Sequence, residues 1–169
     1  TWPHIAYPAQ LQLKESILID TLLRTGGMAP KRPLPIQPSP GTDHYRLRTQ
    51  FNVRSEKGVQ RLGFFRQGSY SLVEVEDAFL IHPLINRTLA AVRKLVSLLP
   101  PLLEVHINAS PAGEVHLLLF GAEDAFGPQD KFFTDLQESV PEVIGLTGFA
   151  KKKKAFSLGK NIMTLEVEG

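Results

Sequence analysis

The sequence predicts an α+β fold, with a mostly antiparallel sheet of hairpins, two longer helices and one short helix. Three observations predict it. Apolar residues recur at helical spacing in residues 8–25 and again after Pro83. Residues 44–54 instead alternate strictly between apolar and polar side chains, which is the period of a half-buried strand. Short strand-like stretches separated by turn residues fill most of the remaining chain, with one more helical stretch at residues 128–140.

The first helix is predicted over Pro8–Thr25. Pro8 suits the first turn, where its lack of an N–H costs nothing, and the pair Gly26-Gly27 suits the end of a helix. The apolar residues with helical spacing are Leu11, Leu18 and Leu22. Residues 28–41 hold five prolines, which exclude a helix and a central strand. They are predicted to form a stiff loop, either a linker or an ordered strap.

An antiparallel meander is predicted next. In residues 44–54 one face of the strand is lined by Tyr45, Leu47, Thr49, Phe51 and Val53. Residues 55–58 contain a glycine and read as a hairpin turn, after which Val59–Phe65 returns as a second strand. A further turn at residues 66–69 leads to a third strand at residues 70–75.

The second half of the chain alternates between helices and strands. Pro83 is predicted to open a helix that Pro100 and Pro101 close. Its buried stripe consists of Ile85, Leu89, Val92, Val96 and Leu99. Strands are predicted at residues 103–109, 114–120, 142–149, 155–158 and 161–167, with the short helix at residues 128–140. The order of the strands in the sheet cannot be read from these patterns.

Composition restricts the classes of function. With 169 residues, 43% of them hydrophobic and 21% charged, the chain is expected to be one soluble domain over residues 1–169. The net charge is only +2, so nucleic-acid binding would depend on how the charges are distributed. The absence of cysteine excludes disulfides, thiolate metal sites and a thiol nucleophile in this chain. The sequence has no signal peptide and no apolar run long enough for a membrane helix, so a cytoplasmic protein with no membrane partner is expected.

Two stretches resemble a known family. Residues 2–15 read WPHIAYPAQLQLKE, and residues 44–86 include HYRLRTQFNVR and GVQRLGFFRQGSYSLVEVEDAFLIHPLIN. They resemble the bacterial uracil-C5 RNA methyltransferases, in which Y-x-x-Q-L-x-x-K is followed by Tyr-Arg-x-(Arg/Lys), Leu-Gly-Phe and Ser-x-x-(Val/Ile)-x-(Val/Ile) strands. The matching residues are His4, Tyr7, Gln10, Leu11, Lys14, Tyr45, Arg46, Arg48, Leu62, Gly63, Phe64 and, more loosely, Ser71, Val73 and Val75.

The resemblance implies a central, non-catalytic domain of an S-adenosylmethionine-dependent enzyme that methylates ribosomal or transfer RNA. In that family a small β-barrel domain precedes this region, and a catalytic domain with a cysteine nucleophile follows it. Residues 160–169 would lead into that catalytic domain, and the start at Thr1 without methionine suggests an excised piece. The parent protein is thus expected to be an enzyme, whereas this chain lacks the cysteine that C5 methylation requires. No catalytic residue is therefore assigned here.

The resemblance also implies a lost metal site. Many family members hold a four-iron–four-sulfur cluster through four cysteines, the last of them in an E-D-C-x-x-x-x-P segment. Ala78 occupies that cysteine position between Glu76-Asp77 and Pro83. Thiolates are the ligands of such clusters, so no cluster, and no cofactor or metal of any kind, is expected in this chain.

The polar face of residues 44–54 holds the main candidates for RNA contact, Arg46 and Arg48. Guanidinium groups on a strand can grip phosphates or stack on unpaired bases. The alternative is a solvated outer face of a half-buried sheet. The secondary candidates are Lys14, Arg61, Arg66 and the run Lys151, Lys152, Lys153 and Lys154, for which a solvated loop is the alternative.

Other chemistry-bearing residues receive weaker interpretations. Phe64 and Phe65 are adjacent, so one of them must point away from the core, either as a stacking platform or under further cover. His106 and His116 fall on neighbouring predicted strands, but no third metal ligand has a recognisable spacing. An acidic cluster is more typical of a solvated turn than of a paired-carboxylate site, and it consists of Glu74, Glu76 and Asp77.

Three hypotheses of function follow. The first is a domain that positions RNA while a neighbouring domain methylates a uridine. The second is a structural scaffold that braces the catalytic domain and does not touch RNA, as the carrier of the iron–sulfur cluster in relatives. The third is a stand-alone RNA-binding protein of unrelated descent.

Overall fold

The computed structural model describes residues 2, 4–29, 35–122, 127–151 and 153–164. It divides into two compact units, residues 1–42 and residues 43–169. The expectation of one domain over the whole chain stays a prediction.

The first unit is built on α1 (Tyr7–Gly26), which confirms the predicted first helix. The helix ends because Gly27 adopts a left-handed conformation (φ 61°) and its N–H donates to the Leu22 carbonyl. The described residues of the proline-rich stretch form no helix or strand, as predicted, and residues 30–34 lie outside the described range. The Ser39 N–H donates to the Tyr7 hydroxyl at 2.6 Å, so the loop returns to the start of α1 as an ordered strap would.

The second unit is a seven-stranded sheet in the order β3-β2-β1-β4-β5-β6-β7. The strands are β1 (Arg48–Glu56), β2 (Val59–Phe65), β3 (Leu72–Val73), β4 (Leu102–Ala109), β5 (Val115–Gly121), β6 (Val143–Ala150) and β7 (Lys153–Gly159). Every neighbouring pair is antiparallel except β5 and β6. The predicted α+β fold with a mostly antiparallel sheet is confirmed.

The β1–β2 hairpin turns through Lys57 and Gly58, both with positive φ (51° and 80°). A two-residue loop with two positive φ values matches the twist of the flanking strands, and glycine adopts the second of them without strain. The turn fixes the register, which sets Arg54 opposite Arg61 and Asn52 opposite Gly63. Alternate residues of both strands therefore share a face.

Two helices complete this unit, α2 (Pro83–Leu95) and α3 (Asp130–Ser139). The His82 side chain accepts the Leu84 N–H and caps the start of α2. The helices contact each other, and α2 contacts β4 while α3 contacts β6. Together with α1 they give the predicted two longer helices and one short helix.

Four predicted elements are corrected. The first strand begins at Arg48 and not at residue 44, and Tyr45, predicted for its apolar face, is 50% exposed. The third strand is limited to Leu72–Val73, because the rest of residues 70–75 has no regular secondary structure. The helix after Pro83 ends at Leu95 and continues only as a 3-10 turn, Val96–Leu98. The strand predicted at residues 161–167 is wrong for residues 161–164, which form no strand, and its remaining residues lie outside the described range.

The sheet has two unlike faces. One face packs against α2 and α3, and its strand residues with less than 2% exposure include Phe51, Leu62, Val105, Ile107, Leu117, Leu119 and Leu146. The helices contribute Ile85, Leu89, Val92, Phe132 and Leu136 to the same core. We call this the packed face and the opposite side, from which the alternate residues project, the open face. Within the described part of residues 43–169, neither helix lies on the open face.

Candidate nucleic-acid interface

The open face presents polar and aromatic side chains where the packed face presents aliphatic ones. Along β1 its residues are Arg48, Gln50, Asn52 and Arg54, each one position out of phase with the buried Phe51 and Val53. Along β4 and β5 they are Glu104, His106, Asn108, His116, Leu118 and Phe120. This phase is fixed by the pleat, because successive side chains of a strand point to opposite faces.

A groove of about 750 Å³ crosses this face. Strands β1, β4, β5, β6 and β7 and the segment after β7 line it. Its polar lining consists of Arg48, Thr49, Gln50, His106, Asn108, His116, Thr147, Lys154 and Asn161. Its apolar lining consists of Leu118, Phe149 and Met163. Nine of the twelve lining residues have polar or charged side chains, so the groove can hydrogen-bond a charged ligand along its length.

The groove brings together two of the residues predicted to bind RNA, Arg48 and Lys154. Both are exposed. Among the described residues, neither has a carboxylate within ion-pair distance. Arg48 is therefore not locked into an internal ion pair, which is the arrangement that would have argued against a role with RNA. Two unneutralised cations give the groove a positive potential.

The other predicted arginines lie away from the groove. Arg46 is exposed and is held by its backbone, whose N–H donates to the Leu80 carbonyl at 2.9 Å and whose carbonyl accepts the His82 N–H at 3.0 Å. Arg61 lies on the open face of β2, where its guanidinium is 3.5 Å from Glu74. Arg66 is exposed in the turn after β2. The structure thus groups only some of the predicted cations.

The lysine candidates are also dispersed. Lys14 is exposed on α1, in the first unit. Lys151 is exposed in the turn between β6 and β7, with φ 45°, and Lys153 is exposed at the start of β7. Lys152 lies outside the described residues. Of the lysine run, only Lys154 lines the groove.

A buried histidine forms part of the groove floor. His116 is 6% exposed, and its Nε2 lies 3.3 Å from the Thr147 hydroxyl, which is 3.2 Å from the Ser157 hydroxyl. Burial lowers the pKa of His116, and the charge of Lys154 lowers it further. The imidazole is therefore neutral at pH 7 and offers one donor and one acceptor nitrogen.

Gly145 explains why the imidazole fits there. It is the register partner of His116 on β6, and a Cβ at this position would lie 2.6 Å from the imidazole Cδ2. The same Cβ would lie 1.9 Å from the Lys160 carbonyl oxygen. A larger residue at position 145 would collide with the imidazole and displace it from the groove floor.

Aromatic residues on the open face form two groups. In one, the Arg54 guanidinium lies 5.2 Å from the Phe65 ring centroid, and Phe65 meets Tyr70 edge to face at 5.8 Å. Phe64, by contrast, packs against Phe51 on the packed face at 5.2 Å. The prediction that adjacent phenylalanines point to opposite faces is confirmed.

The second group is the aromatic row, which we define as His106, Phe120 and Phe149. The sequence interpretation did not identify it, because it considered His106 only as a metal ligand paired with His116. The register places His106 opposite Leu118 and His116 opposite Asn108, so the two histidines share a face but are not directly opposite. The available signal was that His106 alternates with Val105 and Ile107, and Phe120 with Leu117 and Leu119, although Leu118 shares the phase of Phe120. Phe149, on a strand reached through α3, had no such signal.

Ala78 lies in the loop before α2, partly buried against the core. Its N–H is 3.4 Å from the Asn86 amide oxygen, and its carbonyl accepts the Ile81 N–H at 2.8 Å. A methyl group has no atom that binds iron, so this position does not fit a four-iron–four-sulfur cluster. Among the described residues, no group of three or more His, Asp or Glu side chains could hold a metal ion.

Comparison with curated proteins gives relatives named RNA methyltransferases. The chain is 29% identical over 173 residues to an uncharacterized RNA methyltransferase of Aquifex aeolicus, a match that covers 97% of this chain and 39% of that protein. It is 26% identical to one of Enterococcus faecalis, over 89% of this chain and 36% of that protein. The chain thus spans about two fifths of the length of these relatives. No model of a known protein family matches it.

Comparison with solved structures gives the same kind of protein. The fold matches the tRNA (uracil-54, C5)-methyltransferase of Pyrococcus abyssi, solved in complex with S-adenosyl-L-homocysteine, with a TM-score of 0.71. The match covers 98% of this chain and 42% of that one at 14% identity, so it demonstrates a shared fold. The resemblance to RNA methyltransferases predicted from the sequence is confirmed, as a match to part of each relative.

No helix among the described residues is long and apolar enough to cross a membrane.

Proposed function

We propose that this chain is the RNA-handling domain of an S-adenosylmethionine-dependent methyltransferase that acts on C5 of a uridine in ribosomal or transfer RNA. The relatives' names support the RNA methyltransferase class. The fold shared with a tRNA uracil-C5 methyltransferase supports the position of the methylated atom. Methyl transfer belongs to a separate part of the parent protein, since C5 methylation requires a thiol nucleophile and this chain has no cysteine. A cytoplasmic location, where these RNAs are found, is part of the proposal.

The observation that supports RNA handling most directly is the position of Arg48. Its guanidinium lines a polar groove and, among the described residues, has no carboxylate partner. A fixed array of five N–H donors on a strand suits a phosphate or an unpaired base. Arg46 lies two residues earlier, just before β1 begins, and is exposed. Lys154 lines the same groove, while Lys14, Arg61, Arg66, Lys151, Lys152 and Lys153 are proposed as weaker, longer-range contributors.

The test is RNA binding by this chain and by the double variant Arg46→Ala/Arg48→Ala. The ligand is a fluorescently labelled RNA hairpin with a uridine-rich loop, titrated at several salt concentrations. We expect the double variant to bind at least about tenfold more weakly, because each charge-assisted hydrogen bond contributes about 1.5–3 kcal/mol. The slope of log K against log salt should fall by about 0.7 for each lost phosphate contact to a single strand.

The matched control is Lys94→Ala/Lys131→Ala, which removes two exposed lysines from the helices α2 and α3. It has the same net charge as the double arginine variant but leaves the open face intact. If both double variants bind alike, general charge and not the strand face is responsible, and the proposal for Arg46 and Arg48 fails. Absence of any binding by the parent chain at low salt would favour the scaffold role instead.

In the whole protein, the proposal predicts a specific kinetic pattern. Transfer of labelled methyl groups from S-adenosylmethionine to RNA should show a raised KM for RNA in the Arg46→Ala/Arg48→Ala variant, with kcat nearly unchanged. Binding that is equal in the ground and transition states affects KM alone. If the whole protein transfers no methyl groups to RNA, the assigned enzyme class is wrong.

A further inference from the structure

The aromatic row crosses three neighbouring strands. The ring centroids of His106 on β4 and Phe120 on β5 are 4.5 Å apart, with 40° between the ring planes. Phe120 stacks on Phe149 of β6 at 5.0 Å and 11°. These spacings are those of offset-stacked aromatic pairs. They also match the distance between adjacent strands, about 4.7–4.9 Å, so the sheet itself sets the repeat of the row.

Both ends of the row face the groove. His106 and Phe149 belong to its lining, and all three rings are only partly buried. The His106 ring is held in place by Glu104, whose Oε2 is 2.8 Å from its Nε2. The three rings thus form an ordered aromatic surface outside the hydrophobic core.

Cations flank the row on both sides. Lys154 on β7 is the register partner of Phe149, and Arg48 on β1 is the register partner of Asn108, which lies two residues from His106. Planar rings with a cation at each side match a chain of bases linked by phosphates. The side-chain amides of Gln50 and Asn108 also line the groove and, among the described residues, make no hydrogen bond, so they are available to base edges.

We infer that the aromatic row stacks the bases of unpaired RNA while Arg48 and Lys154 hold the adjoining phosphates. The inference rests on the proposed function and narrows its ligand to single-stranded segments. In an A-form duplex the base faces are already stacked on one another, so a duplex can meet the cations but not the row. Open sheets that bind RNA place two or three bases on strand aromatics in this manner. Because Phe120 stacks on Phe149 and packs against His106, its own faces are covered, and bases would stack at the two ends of the row, on the outer faces of His106 and Phe149.

A protein segment is the competing occupant, and the charges disfavour it. Covering Arg48 and Lys154 with protein would take two cations out of water, and no described carboxylate of this chain is within ion-pair distance of either. A polyanion supplies the counter-charge itself. RNA is therefore the occupant that the groove fits.

The test compares three ligands of equal length: an oligouridine strand, the same ribose–phosphate backbone without bases, and a blunt RNA duplex. The full chain should bind oligouridine at least about fivefold more tightly than the abasic strand, since each base stacked on an aromatic ring contributes about 1–3 kcal/mol. Phe149→Leu, which removes the ring and keeps an apolar side chain, should lose about that preference and leave the salt slope unchanged. Phe149→Tyr should retain it.

The control variant is Phe79→Leu, which removes an exposed ring that does not line the groove. It should bind all three ligands as the parent does. A second measurement is independent of affinity: Phe149→Trp in a Trp2→Phe background carries a single indole, because Trp2 is the only native tryptophan. Oligouridine should quench its fluorescence, and the abasic strand should not.

The outcomes separate the two proposals. Equal binding of oligouridine and the abasic strand, with no quenching, overturns base stacking even if Arg48 still governs the salt slope, and the proposed function then stands. Tighter binding of the duplex overturns it as well. If no ligand binds and the indole of the Phe149→Trp variant is shielded from small quenchers, protein covers the face, and both the inference and the RNA-handling role fail.

Discussion

Gln50 and Phe51 are neighbours in β1, but their side chains lie on opposite faces of the sheet. Phe51 is fully buried on the packed face, against Phe64 at 5.2 Å, whereas Gln50 is exposed and lines the groove. The packed face is held by apolar burial, which depends on volume and shape. The open face instead carries aromatic rings, side-chain amides and cations that are not part of the hydrophobic core. The two faces of one sheet thus differ in chemistry: apolar burial stabilises the packed face, and the open face is the one for which we propose recognition of RNA.

The most severe test of this division compares alanine substitutions at the two neighbours. Phe51→Ala should lower the free energy of unfolding by about 3–5 kcal/mol, because a large ring leaves a cavity in the core. Gln50→Ala should change it by no more than about 0.5 kcal/mol, as is usual for surface positions. Denaturant unfolding measures both. Comparable losses at the two positions would mean that the open face is part of the core in solution.

The division itself was predictable for β1 from the sequence. The alternation in residues 44–54 indicates which residues are buried from Arg48 onward, since the period of two matches the pleat, but it fails for Tyr45, which is 50% exposed and precedes the strand. The hairpin with β2 was also predictable, because a local turn at Lys57-Gly58 fixes its register. Both features depend on residues that are close together in the sequence, so a short stretch of sequence is enough to predict them.

The groove was not predictable, because it depends on the order of strands that are distant in sequence. Nothing local indicates that β4 pairs with β1, or that β6 runs parallel to β5 after α3. These two pairings bring Lys154 to the same groove as Arg48 and align Phe149 with Phe120. Long-range pairing reflects packing of the whole sheet and leaves little trace in any one segment.

A polar residue on the packed face provides the second prediction. The Gln60 amide nitrogen is 3.3 Å, 3.1 Å and 3.1 Å from the carbonyl oxygens of Val96, Leu99 and Pro100, and its oxygen accepts the Leu102 N–H at 2.8 Å. It thus satisfies the backbone where the chain leaves α2 and enters β4. Gln60→Leu should lower the free energy of unfolding by about 1–3 kcal/mol, because it leaves partly buried backbone groups without partners.

The control for this prediction is Gln67→Leu, in the exposed turn between β2 and β3, which should have little effect. Gln60→Glu sharpens the test. Its carboxylate would place an oxygen where the amide nitrogen, with its two N–H donors, now lies within hydrogen-bond distance of three carbonyl oxygens, so Gln60→Glu should be no more stable than Gln60→Leu at pH 7. A fully stable Gln60→Glu variant would show that the amide contacts do not hold this junction.

The smallest expected effect is a pH dependence that comes from the floor of the groove. Burial lowers the pKa of His116 in the folded chain, with a further contribution from Lys154, whereas in the unfolded chain it is near the ordinary value of about 6.5. Between these two values the unfolded state binds more protons, so stability rises with pH in that interval. The contribution of His116 to the free energy of unfolding should therefore be level above about pH 7.5. It should fall below about pH 6.5, by at most about 1.4 kcal/mol per pH unit for one proton.

The contribution of His116 is the difference between the parent and His116→Gln, measured by denaturant unfolding across this pH range. The glutamine variant should lack the corresponding part of the decline, and a difference that does not vary with pH would refute the role of the buried imidazole. Lys154→Ala should raise the His116 midpoint followed by NMR, because it removes a nearby positive charge, whereas Lys94→Ala on α2 should not move it. Since burial is the larger cause, the midpoint in Lys154→Ala should stay below that of an exposed histidine. A shift of this kind would establish that the groove's cation is close enough to the floor to influence its protonation, so that phosphate binding at Lys154 must in turn favour the protonated imidazole.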